Sequence, residues 1–156
     1  SVFALPAQSV LTEKYSHGLG SPDTTLFYTG AKLFQMAETY GSEGRSAYLH
    51  ARWNFDLAFP LIYTFFFITA IAWLFKKVLP SPSRHWLLVV PLLAMLLDFA
   101  ENTATSVVMR AYPTQATWGQ ALAPIFTPLK WFAVTACVIL VVAGLVGRVF
   151  QSIKQK

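Results

Sequence analysis

The sequence predicts an all-α integral membrane protein, a small helical bundle, on three observations. Apolar runs long enough to cross a hydrocarbon core of about 30 Å fall near residues 53–75, 86–109 and 128–147. Hydrophobic residues make up 55% of the 156 and charged residues only 12%, a balance found in membrane proteins rather than in soluble domains. Lys76, Lys77, Arg84, Arg148, Lys154 and Lys156 occupy two short segments beside apolar runs, and no acid accompanies them. This asymmetry is the positive-inside pattern, and it marks those segments as cytoplasmic. It also explains the net charge of +5 without nucleic acid, which is not expected as a partner.

Taken in order, residues 1–52 form an extracytoplasmic N-terminal segment. Residue 1 is Ser, and the apolar opening before Gln8 is too short to span, so a further spanning helix upstream is expected. Gly18, Gly20 and Pro22 mark a loop. Thr29 is placed to cap a short helix running to Tyr40, with Gly41 as its stop. Leu33, Met36, Ala37 and Tyr40 share a face of it, which predicts an amphipathic helix lying on the bundle or the membrane surface. Ser42 then reads as the cap of a second helix with Glu43 in its first turn. Arg45, a cation near that N-terminus, opposes the macrodipole by about 0.3 to 1 kcal/mol, which points either to an anionic partner or to a solvated surface arginine.

The bundle itself covers residues 53–147. Along the first span and the turns before it, Arg45, Arg52, Asp56 and Tyr63 recur near one face, and Pro60 is expected to kink the helix. A basic turn with Pro80 and Pro82 follows, then the second span. Arg110 to Thr127 is expected to be an outer loop, with Thr127 and Pro128 serving as cap and first-turn proline of the third span. Residues 148–156 are the basic cytoplasmic tail. The five tryptophans agree with this layout: Trp53, Trp118 and Trp131 fall at the outer boundary, Trp73 and Trp86 at the inner one. The predicted location is the bacterial inner membrane, N-terminal segment outside and C-terminus in the cytoplasm.

The informative stretch is the second span, where Asp98, Glu101, Asn102 and Thr105 stand at i, i+3, i+4 and i+7 and form one polar stripe on a helix. A carboxylate within hydrocarbon costs roughly 2.5 to 3.5 kcal/mol even on lenient scales. Counting from Trp86, Asp98 lies about 18 Å and Asn102 about 24 Å along the helix. Asp56 on the first span and Lys130 on the third reach similar depths from the other side. The expectation is one polar cluster of Arg52, Asp56, Asp98, Glu101, Asn102 and Lys130. Its carboxylates outnumber its cations, so an acid must carry a proton or another cation must join.

Few functional signatures accompany the stripe. Cys137 is the only cysteine, which rules out an intrachain disulfide. His17, His50 and His85 all fall outside the middle of the spans, and no zinc motif, phosphate loop or nucleophile elbow occurs. No cofactor or metal is predicted, although Asp98 and Glu101 would offer hard oxygen ligands to a divalent cation. Asp98 and Glu101 are the candidate acid/base pair, and Arg45, Arg52 and Lys130 the candidate anion-binding groups.

The segments Phe27-Tyr28-Thr29, Tyr40-Gly41-Ser42-Glu43-Gly44-Arg45-Ser46-Ala47-Tyr48, Asp56-Leu57-Ala58-Phe59-Pro60 and Asp98-Phe99-Ala100-Glu101-Asn102 resemble an uncharacterised family of small bacterial multi-span membrane proteins. The resemblance covers roughly residues 27 to 131 and implies a spanning helix ahead of the outer segment. It brings no activity with it. The functional expectation is therefore an accessory or scaffolding subunit of a membrane complex, in contact with the bilayer and with other subunits or copies of itself. The alternatives are an outer-leaflet lipid- or isoprenoid-binding protein or enzyme, in which those basic residues hold an anionic head, and a component of a proton or ion pathway.

Overall fold

The computed structural model describes residues 14–76, 79 and 85–154, apart from the side chains of Phe55 and Lys154. The opening residues 1–13, Lys77, Pro80, Pro82 and Arg84 of the basic turn, and Lys156 lie outside them. The architecture is all-α: α1 (Gly30–Thr39), α2 (Gly41–Phe75), α3 (Val89–Ala111) and α4 (Thr117–Lys154). The spans Gly41–Phe75, His85–Ala111 and Thr117–Ile153 are each long and apolar enough to cross a membrane. Phe65, Ile62, Ile139 and Phe150 are among many large apolar side chains left exposed, a surface suited to lipid and not to water.

Local chemistry explains the short helix. Thr29 sits in extended backbone and its hydroxyl accepts the Lys32 N–H at 3.2 Å, a side-chain N-cap for α1. Leu33, Met36 and Ala37 are its fully buried face. Gly41, at φ +61, turns the chain into α2 in a left-handed conformation that favours glycine. No side-chain cap bond opens α2, so Ser42 does not serve the capping role expected of it.

The helix expected from Ser42 onward runs straight into the first span: with 35 residues, α2 is about 52 Å long and unbroken from Gly41 to Phe75. α4 corrects an expected boundary, absorbing most of the expected outer loop and leaving residues 112–116 as the connection. Thr127 is thus inside a helix and not at its start, and Pro124 and Pro128 are both interior. A proline deletes one backbone hydrogen bond, but in an apolar environment continuing the helix still satisfies more backbone than breaking it. The carbonyls that lose their helical donors are those of Pro124 and Gln120; the Thr127 hydroxyl lies 3.0 Å from the neighbouring Ala123 carbonyl, and the Gln120 oxygen abuts Gly30 of α1. A Cβ on Gly30 would sit 2.4 Å from that oxygen. The basic tail is also helical as far as Lys154.

α3 packs chiefly on α4 and less extensively on α2. Glycines set the close approaches: Gly119 of α4 lies against the Ala104 carbonyl of α3, and Gly144 against Leu74 and Phe75 of α2. Two apolar cores result. One, beneath α1, gathers Leu33, Met36, Tyr40, Ala104, Val108 and Met109. The other, at the opposite end, gathers Phe67, Ile71, Leu74, Ala94 and Cys137. Arg148 closes the second end, donating from Nε to the Leu74 carbonyl at 3.2 Å and from Nη2 to the Trp73 carbonyl while lying over the Trp73 ring. A layer of charge separates the two cores.

Candidate functional site

Arg52 of α2 is the hub of that layer. Its Nη2 lies 2.7 Å from Asp23 Oδ1 and its Nη1 2.6 Å from Asp56 Oδ2, one helical turn further along α2. Nη1 also approaches Asn102 Oδ1 on α3 at 3.4 Å, and the guanidinium lies 4.7 Å from the Tyr48 ring centroid, one turn before it. The carboxylate of Asp98 accepts from the Asn102 amide at 3.2 Å and from the Tyr63 hydroxyl of α2 at 3.1 Å. A second pair joins α3 to α4: Lys130 is bonded to Glu101 Oε2, and Thr127 donates to Glu101 Oε1 at 3.0 Å. Tyr28, from the loop before α1, meets the Thr127 hydroxyl at 2.9 Å.

All six residues expected to form the cluster are brought together, and each is at least nine-tenths buried, from Glu101 at 0% exposure to Asp98 at 9%. Burial on this scale demands partners, since each unpaired charge would cost several kcal/mol in a low-dielectric site. Arg45 lies elsewhere. Its Nη1 donates to the Ala37 carbonyl near the C-terminus of α1 at 2.9 Å, and its guanidinium lies over the Tyr112 ring. The partner it lacked in the sequence is therefore a helix C-terminus, whose partial negative charge suits a cation.

Asp23 is the member that sequence reasoning missed. Ser21 donates to its carboxylate, Trp131 Nε1 donates to its backbone carbonyl at 2.9 Å, and Pro22 beside it is fully buried. Burial pushes the Asp23 carboxyl up, but the Arg52 guanidinium and the Ser21 hydroxyl outweigh it and hold the group below the usual aspartate range. Burial also raises the Tyr28 hydroxyl well above the ordinary tyrosine value, so this phenol stays protonated. Tyr48 and Thr127 were likewise not singled out for the cluster. A guanidinium with an aromatic residue four positions earlier on one helix was the available signal for Tyr48.

The layer borders a cavity of about 380 Å³ between α2 and α4. Asp23, Arg52, Asp56, Tyr63, Asp98 and Lys130 supply its polar lining. Phe59, Pro60, Phe67, Trp131 and Val134 form walls that are mostly apolar, and the exposed Phe59 and Trp131 stand at its rim. Comparison of the chain with protein-family models, curated proteins and solved structures finds no match. No family is identified.

The geometry therefore has to speak for itself. Among the described residues no three His, Cys, Asp or Glu side chains gather as metal ligands. Arg52 and Lys130 already face carboxylates at ion-pair distance. Asp98 is different: the side chains bonded to it, Tyr63 and Asn102, are neutral donors. It is the carboxylate of the cavity best placed to accept a further hydrogen bond or a proton from a molecule inside.

Proposed function

We propose that this chain is a bacterial inner-membrane protein whose cavity binds a membrane amphiphile, entering from the outer leaflet with its head at Asp98 and its chain along the apolar wall. The observation that carries the reading is the cavity of about 380 Å³, whose wall combines the charged Asp23, Arg52, Asp56, Asp98 and Lys130 with the apolar Phe59, Phe67 and Val134. That volume lies within the usual range for small-molecule sites, about 300 to 1,000 Å³. The orientation rests on the basic segments: the charged layer and α1 lie at the end of the bundle remote from Lys76 and Arg148.

The charge distribution supports a head that donates hydrogen bonds, such as a lipid or isoprenoid alcohol. Because both cations in the wall are engaged by acids, an anionic head would have to displace an existing ion pair. A hydroxyl would instead donate to Asp98 and accept from Lys130, which also lines the cavity. In an enzyme, the same contact would make Asp98 the base that takes the hydroxyl proton.

Binding of a polyprenol and of the matching polyprenyl phosphate to the delipidated protein tests this. The alcohol is expected to bind the wild type more tightly than the phosphate, and Asp98→Asn to weaken the alcohol by about tenfold, the loss of a charge-assisted hydrogen bond. Equal binding of both compounds, or none, would leave the layer a purely structural network. A subunit role is supported by a separate observation, the extent of apolar side chain exposed on all three long helices. Stoichiometric co-purification of another membrane protein would favour it.

A further inference from the structure

A second site lies on the other side of α2, against α3. We infer that the groove between these helices at the α1 end holds one anionic phospholipid, its phosphate between Arg110 and Ser106 and an acyl chain running past Trp53 and Leu57. The upper part is a pocket of about 230 Å³ lined by Leu49, Trp53, Thr103, Ser106, Val107 and Arg110. Below it a pocket of about 240 Å³ shares Trp53 and Thr103 and continues to Leu57 and Phe99, with Arg52 and Asn102 of the charged layer also in its wall. The two make one channel, with Arg110 and Ser106 at the top and room along Trp53, Leu57 and Phe99 for the start of a chain.

Two independent observations point to a ligand in the upper part. Ser106 is 5% exposed, and its hydroxyl has no hydrogen-bond partner among the described residues. Leaving a buried hydroxyl unpaired costs about 1 to 3 kcal/mol, and rotation of the Ser106 side chain toward the groove it lines would give it a phosphate acceptor. Arg110, one helical turn further along α3, is exposed and makes no ion pair among the described residues. A guanidinium and a hydroxyl on one helix face match the donors a phosphodiester takes. Trp53, 47% exposed, lines both parts of the channel, as aromatic side chains do beneath lipid heads.

Arg52 borders both this groove and the Asp98 cavity and is engaged by acids, as is Lys130. The groove adds Arg110, which makes no ion pair among the described residues. The channel therefore selects a negative head where the cavity does not.

Native mass spectrometry of the purified protein with phosphatidylglycerol and phosphatidylcholine of equal chain length tests the inference. Phosphatidylglycerol is expected to bind more tightly, and Arg110→Gln to reduce its affinity about fivefold, about 1 kcal/mol for one basic side chain at a membrane surface. Arg110→Lys should retain most of the preference, and Ser106→Ala should lose part of it. Lys32→Gln, which removes a charge from α1, should leave the preference intact. Equal binding of the two lipids in the wild type, or the same loss with Lys32→Gln as with Arg110→Gln, would overturn the site.

Discussion

The two ends of the bundle solve the same packing problem in opposite ways. At the end closed by Arg148, the helices meet through Phe67, Ile71, Leu74, Ala94 and Cys137, with Gly144 letting α4 approach α2. Toward α1, the same three helices are tied by Arg52, Asp56, Asp98, Glu101 and Lys130, which carry an additional loop through Asp23. Apolar packing in a bilayer has little direction, because lipid chains are as apolar as the side chains. Buried ion pairs are directional and costly to break, so they fix register while leaving polar atoms along a cavity wall.

The sharpest way to break the comparison is to remove one partner from the α1 end. Lys130→Met strands Glu101, which is fully buried, and is expected to cost about 3 to 5 kcal/mol. The double change Lys130→Met with Glu101→Gln should recover much of that loss. Chemical unfolding in micelles measures both. Next in size are the two helix contacts. Gly119→Ala would place a Cβ 2.7 Å from the Ala104 carbonyl, and Gly144→Ala would place one 2.8 Å from Leu74 Cβ. Each is expected to cost about 1 to 3 kcal/mol, showing that close packing matters equally at the two ends. Thr127→Val removes the hydrogen bonds to Glu101 and Tyr28 and should cost about 1 to 3 kcal/mol, without altering the opposite end.

Acid should act on one end only. The Asp23 carboxyl is held below its ordinary range by Arg52, so its contribution is present above the unfolded aspartate value, about 3.9, and is lost as pH falls through the lower folded value. Trp131, bonded to the Asp23 backbone, should report loosening of the loop by fluorescence at low pH, while Trp73 beneath Arg148 stays unchanged. Simultaneous change at both tryptophans would deny the two ends their separate character.

Periodicity explains how much of this was legible in the sequence. Asp98, Glu101 and Asn102 announce themselves because acids at helical spacing in an apolar run have few bland explanations. Counting helical rise from the interfaces then aligned them with Asp56 and Lys130. Asp23 escaped because a loop has no period, and because charge balance pointed toward a missing cation and not a further acid. Thr127 was misread for another reason: threonine before proline starts helices in water, but within an apolar segment the same pair can lie mid-helix, because continuing the helix satisfies more backbone than breaking it. The cavity was invisible to the sequence, since it depends on how far α2 and α4 stand apart.

The central claim, that the charged layer serves a cavity that holds an amphiphile, is tested most directly by filling the cavity. Val134→Trp places a bulky ring in the apolar wall and touches none of the ion pairs. Mass spectrometry of amphiphiles retained through gentle purification should find one at near-stoichiometric level in the wild type and its loss in the variant, with the melting temperature of the emptied protein unchanged. The same retained lipids in both proteins would contradict the claim and leave the charges as a device for holding helices together.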